Sequence, residues 1–173
     1  MGAPQLIGFE HKLVVGVGDM AVSNNPNLVL TTYSLGSCLG ISIYDPVVRV
    51  AGLLHIMLPD STIDPAKAAA RPCMFVDTGT PLLFRSAYEL GAVRQRLKIT
   101  VAGGAQIMDG SGFFNIGKRN IDAFSELLAR NSLSVVASQV GGMVNRTMNL
   151  HISTGAIRLK ISGQPDEVSL WTP

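Results

Sequence analysis

The stretch Leu39-Gly40-Ile41-Ser42-Ile43-Tyr44, then Asp45-Pro46-Val47-Val48, then Val50-Ala51-Gly52-Leu53-Leu54-His55-Ile56-Met57-Leu58 reads as two strands about a turn with proline in second place. With residues 45–48 as the loop, Tyr44 closes the turn against Arg49. Counting back equally along both arms then sets Cys38 directly opposite His55. Opposed residues share a face, with Cβ atoms about 5 Å apart. The register hangs on the turn, because a slip of one residue moves every side chain to the other face.

A thiol facing an imidazole is a chemically useful pair. A free thiol, with a pKa of about 8.5, is mostly protonated at neutral pH. An adjacent imidazole can take that proton, and the imidazolium formed stabilises the thiolate. Gly36 and Gly40 flank the cysteine and let the backbone bend toward a substrate, while the N–H groups around Gly36, Ser37 and Cys38 can form an oxyanion hole. Taken singly, Cys38 reads as a small buried hydrophobe and His55 as a satisfied core histidine. Their joint placement beside two glycines favours catalysis.

Outward from this hairpin, residues 12–17 and 28–33 have strand character on either side of the turn-rich Ser23-Asn24-Asn25-Pro26-Asn27. Residues 59–70 read as a loop. A helix is expected over 74–90, closed by Gly91, with Pro81 marking a kink or a later start. Residues 97–102 return to strand, 103–117 form a glycine-rich loop, and 118–130 carry Ile121, Phe124, Leu127 and Leu128 at helical spacing. A strand over 133–140, a break at Gly141-Gly142 and a hairpin of 147–153 with 156–162 complete the chain. Many strands and two helices predict an α+β fold. Residues 12–173 make one layered domain of sheet and helix, and 1–11 a flexible extension.

Composition narrows the function. Of 173 residues, 47% are hydrophobic and 15% charged, enough to bury a core without disulfides or metals. A net charge of +2 with scattered basic residues and 6% aromatics gives no footprint for nucleic acid. Two cysteines make no disulfide framework, and neither a signal segment nor a bilayer-length apolar run is present, so a cytoplasmic protein with free thiols and no membrane insertion is expected. No spacing of histidines and cysteines suggests zinc, and no metal or cofactor is expected. Gly112 to Lys118 imitates the start of a phosphate-binding loop, but Arg119 stands where a Ser or Thr would hold magnesium. Cys73 reads as a packing residue, His11 and His151 as surface groups, and Asp77 and Asp109 as caps or solvated carboxylates.

Thr32-Tyr33-Ser34-Leu35-Gly36-Ser37-Cys38, Asp45-Pro46, His55-Ile56-Met57-Leu58-Pro59, Gly103-Gly104-Ala105 and Asn115-Ile116-Gly117-Lys118-Arg119-Asn120 together closely resemble the CheD family of chemoreceptor glutamine deamidases. The resemblance covers roughly residues 13–162. Departures are slight: an N-terminal extension through about His11, and Leu53-Leu54 before the histidine. It implies a catalytic triad on Cys38, His55 and Thr32, and a fold like the catalytic domain of deamidating bacterial toxins. It places the 112–118 segment near the cleft, so that Gln106 or Asn115 would touch substrate. The implied substrates are cytoplasmic domains of methyl-accepting chemotaxis receptors, with a CheC-type phosphatase as a further partner.

The implied chemistry is thioester formation on Cys38 at a glutamine carboxamide, with glutamyl methyl ester hydrolysis as a second activity. The alternative class is a regulatory binding module for receptors or the phosphatase, with catalysis secondary. Thr32 poses a geometric problem. Six residues of straight strand separate it from Cys38 by about 20 Å. The chain must bend near Gly36, or Thr32 must reach His55 from a neighbouring strand.

Overall fold

A computed structural model describes residues 10–106 and 114–173. The hairpin read from the sequence is its middle. β4 (Leu39–Asp45) and β5 (Val50–Ile56) are buried at every residue, which is why both read as continuous apolar runs rather than alternating ones. They lie in a five-stranded sheet with β2 (Asp19–Ser23), β6 (Lys98–Gly103) and β7 (Ala137–Val140), in the order β2-β5-β4-β6-β7. A second sheet has the order β1-β3-β8-β9-β10, from β1 (His11–Val14), β3 (Leu28–Leu35), β8 (Arg146–His151), β9 (Ile157–Ile161) and β10 (Val168–Trp171). Three α-helices are described: α1 (Pro65–Ala70), α2 (Val76–Glu89) and α3 (Ile116–Arg130).

Two clusters of buried side chains separate the layers. Leu39, Ile41 and Ile43 of β4 and Val50, Leu54 and Ile56 of β5 pack with Val76, Leu83 and Phe84 of α2 and Phe124 and Leu128 of α3. Tyr44, Ala51 and Leu53, from the other face of the same strands, pack against Leu30, Met148, Leu150 and Leu159 of the second sheet. The fold is therefore mixed α and β, with one sheet sandwiched between helices and a second sheet. His55 continues the series Ala51 and Leu53, so the alternation of the strand aims it into the gap between the sheets.

Several expectations need correction. The turn closes one residue later than expected: Asp45 pairs with Val50, and Gly40, not Cys38, stands opposite His55. The cause is Asp45, which is buried, accepts the Val47 and Val93 N–H groups at 2.9 Å each, and pairs with Arg96 at 2.8 Å. Holding Asp45 at the strand end pushes the loop on to Arg49, which adopts φ 54°. Both arms shift by one residue, so the change in register is even and Cys38 keeps the face of His55.

Residues 59–70, expected as a loop, contain α1, with Asp64 capping its N-terminus and Pro65 in its first turn. The strand over 133–140 is confined to β7, and β2 and β10 were not expected at all. α2 begins at Val76, so Pro81 does not mark a later start and sits inside the helix without ending it. Gly91 closes the helix at φ 91° with its N–H on Tyr88 O, as the sequence suggests.

Candidate active site

The loop between β3 and β4 carries the thiol. β3 is interrupted by a bulge between Thr32 and Leu35, where Ser34 takes φ 59°. The bend expected near Gly36 is thus made two residues earlier, by a non-glycine residue. Downstream, Gly36, Ser37 and Cys38 are half-buried, and β4 begins at Leu39.

Each carbonyl of this short loop is held. Ala105 N–H donates to Gly36 O at 2.7 Å, Asn120 Nδ2 to Ser37 O at 3.0 Å, and Gly104 N–H to Cys38 O at 2.8 Å. Gly103 permits this approach: a Cβ there would lie 2.1 Å from Cys38 O, and its φ of 112° disfavours any side chain. Of the three N–H groups expected to form an oxyanion hole, that of Gly36 donates to Ser34 O at 2.9 Å. Ser37 and Cys38 are left as the candidate donors.

Thr32 solves its geometric problem from the facing sheet rather than along its own strand. Its hydroxyl lies 2.7 Å from His55 Nδ1 and donates to Val15 O, also at 2.7 Å. A hydroxyl has one hydrogen, and Val15 O takes it. Nδ1 must therefore carry a hydrogen and donate to Thr32 Oγ1, which leaves the lone pair on Nε2. That Nε2 is buried and has no partner among the described residues. Thr32 and His55 are 0% and 1% exposed, so the orienting pair lies deep while Cys38 is half-exposed above it.

Cys38 stands two residues before Gly40, the diagonal position to His55 on the same face. Diagonal neighbours in a sheet are about 7 Å apart at Cα and somewhat closer at Cβ. Burial pushes the Cys38 thiol up from its ordinary value, with only its own backbone N–H acting against this. Burial likewise holds the His55 imidazole down at about 4. Both shifts favour the uncharged forms, thiol and imidazole, over thiolate and imidazolium in the resting protein. Nε2 makes no hydrogen bond to the Cys38 sulfur as the two stand, so the contact expected from the sequence is not made in this state. Brought together, the pair could pass a proton from sulfur to Nε2 as a bond to sulfur forms, and return it to a leaving group.

Gln106 and Asn115 meet each other, with Gln106 Nε2 donating to Asn115 Oδ1 at 2.5 Å. Gln106 directly follows Ala105, which puts the pair beside the Cys38 loop. Gly112, Phe113 and Asp109 lie outside the described residues. Cys73 packs against the helix-side core, and His151 pairs with Glu10 at 3.1 Å. Asp77 accepts from the Ser61 N–H and hydroxyl. Among the described residues no three His, Cys, Asp or Glu side chains gather as metal ligands, and no helix is long and apolar enough to cross a membrane. The strand-and-turn reading missed Val15, whose carbonyl directs Thr32. It also gave no role to Gly103, Gly104, Ala105 and Asn120, although these fall within the two quoted family motifs.

The family model for CheD, described as chemotactic sensory transduction, matches residues 57–161. The chain is 46% identical over 153 residues to "Probable chemoreceptor glutamine deamidase CheD 1" of Syntrophus aciditrophicus (strain SB), covering 88% of this chain and 96% of that protein. The chain belongs to the CheD family. A CheD relative from Solibacter usitatus (strain Ellin6076) is 45% identical over 158 residues, with 91% and 94% coverage. Another, from Pyrococcus horikoshii (strain ATCC 700860 / DSM 12428 / JCM 9974 / NBRC 100139 / OT-3), is 40% identical over 150 residues, with 84% and 90% coverage. Both carry the name "Probable chemoreceptor glutamine deamidase CheD".

Proposed function

We propose that this chain deamidates glutamine side chains of chemotaxis receptors through a thioester on Cys38. The observation that carries the reading is the bare, buried Nε2 of His55, directed by Thr32 and lying on the face that holds the Cys38 thiol. Family membership and the names of the relatives supply the substrate class.

In this reading the Cys38 sulfur attacks the carboxamide carbon while its proton passes to His55 Nε2. The Ser37 and Cys38 N–H groups receive the developing oxyanion. The imidazolium then protonates the leaving nitrogen, and the C–N bond breaks to release ammonia. Water, deprotonated by the same Nε2, hydrolyses the thioester, and glutamate and the free thiol result. Thr32 holds the ring throughout and exchanges no proton with substrate. An ester carbonyl follows the same route with methanol leaving, so glutamyl methyl ester hydrolysis belongs to the proposal. So do substrate contacts at Gln106 and Asn115, a CheC-type partner, one functional domain over 12–173, and kinship with toxin catalytic domains.

The test is to incubate purified protein with receptor cytoplasmic fragments and follow glutamine-to-glutamate conversion by peptide mass spectrometry. Conversion by the wild type and none by Cys38→Ala is expected. Equal conversion by the two overturns the mechanism, and no conversion by the wild type overturns the function.

A further inference from the structure

Of the three donors on the Cys38 loop, two are backbone N–H groups and one is a side chain. That side chain, Asn120, is fully buried in the second turn of α3. Its two amide hydrogens go to two distant segments: Ser37 O, just before the thiol, and Met57 O, two residues beyond His55, both at 3.0 Å. Its own Oδ1 has no partner among the described residues. Leaving a buried acceptor unpaired is a net cost, so this amide is not placed for its own satisfaction.

We propose that Asn120 is a positioning residue whose carboxamide ties the Cys38 loop to the end of the His55 strand and so sets the approach of thiol to imidazole. The inference rests on the reading of Cys38 and His55 as nucleophile and base.

The platform beneath Asn120 is stiff. Gly117, one turn earlier, presses so closely on β6's exit that a Cβ there would lie 2.4 Å from Gly104 O and 2.5 Å from Ala105 O. Gly104 and Ala105 are the residues that hold the Cys38 and Gly36 carbonyls. The helix start, the glycine segment and the nucleophile loop therefore form one braced unit. The β4–β5 ladder already pairs Leu39 with Ile56 and Gly40 with His55, and Asn120 adds a side-chain tie from the unit to Met57, just past the strand that carries the base. A misplacement of about 1 Å between reacting groups lowers rate on the order of 10²-fold.

The test uses Asn120→Leu, of similar size but without hydrogens to donate, in the full chain. The rate of receptor deamidation is expected to fall about 10²-fold in kcat with KM changed less than about twofold. Acylation of Cys38 by p-nitrophenyl acetate, read as a nitrophenolate burst in a Cys73→Ala background, should fall in parallel. Introduced into His55→Ala, the same substitution should change the burst rate little, because there is then no base to misplace. Equal losses with and without His55, or an unchanged kcat, overturn the proposal. If Asn120→Leu does not fold, Asn120→Ser, which can serve at most one of the two carbonyls, should show the same pattern at smaller amplitude. A wild type that shows the burst but never converts receptor glutamine defeats the functional reading alone, and the burst cycle still decides on Asn120.

Discussion

The hydroxyl of Thr32 and Nδ1 of His55 lie 2.7 Å apart across the gap between the two sheets, and the direction of that bond is set by a third group. Val15 O takes the only hydroxyl hydrogen, so the imidazole must donate at Nδ1 and keep its lone pair at Nε2. A backbone carbonyl thus selects the tautomer with a free Nε2 lone pair, the one the proposed role of His55 as base for Cys38 would require.

Thr32→Val should therefore be more damaging than Thr32→Ser. Valine keeps the volume but leaves Nδ1–H and Val15 O unpaired in the interior, a loss of about 1–3 kcal/mol in urea unfolding. Deamidation should fall on the order of 10²-fold, because the ring can then reverse its tautomer. Thr32→Ser should retain most of the activity. A Thr32→Val enzyme with normal rate would show that the hydroxyl has no part in holding the ring.

Acid should weaken the fold through His55. Its folded pKa of about 4 lies below the ordinary 6.5, so between these values the unfolded chain binds a proton that the folded chain refuses. Stability contributed by neutral His55 is whole above about pH 6.5 and is lost as pH falls toward 4, by up to roughly 3 kcal/mol. Urea midpoints at pH 7 and pH 4.5 should separate for the wild type by more than for His55→Gln. Parallel pH dependence in both would mean that the imidazole is not held neutral.

Cys38 should not behave as a preformed thiolate. Its raised pKa means that alkylation by iodoacetamide rises with pH through the alkaline range, without a plateau at pH 5 to 6. Cys38→Ala should remove deamidation and leave folding nearly intact, whereas Cys73→Ala should keep activity. A low-pH plateau assigned to Cys38 by peptide mapping would contradict a neutral resting pair.

Gly103 and Gly91 form a matched comparison. Both have positive φ, but a Cβ at Gly91 meets nothing within 4 Å, and one at Gly103 meets Cys38 O at 2.1 Å. Gly91→Ala should cost only backbone strain, about 1 kcal/mol. Gly103→Ala should cost clearly more in urea unfolding and, if Cys38 is the nucleophile as proposed, should also depress activity, because the displaced atom belongs to the Cys38 peptide. Equal effects in the two variants would show that the Cys38 peptide moves aside freely.

Local signals in the sequence determined a good deal. The apolar runs of β4 and β5 and the proline turn between them announced the central hairpin. The 3.6-residue spacing of Phe124, Leu127 and Leu128 announced α3, and Gly91 announced the end of α2. The even spacing along each arm put Cys38 and His55 on one face, and this survived an error in the turn because a paired shift preserves parity. Short elements were less legible. β2 is a five-residue strand close to turn residues, and β10 is a four-residue edge strand with little periodicity to read. α1 announces itself only by Asp64 and Pro65.

Only tertiary structure decided the rest, because the partners are remote in sequence. The register of the hairpin follows from Asp45 binding Val93 and Arg96, 48 and 51 residues further along the chain. The bend before Cys38 falls at Ser34, since strand pairing with β8 can force a non-glycine residue into a left-handed turn. Thr32 meets His55 because two sheets stack, a relation that no count along one strand contains. The carbonyls of residues 36–38 are held by Gly104 and Ala105, brought to the loop by the pairing of β6 with β4, and by Asn120, which reaches it only once α3 has packed against the sheet. Periodicity records which face a residue takes; what stands across from that face depends on how the layers pack.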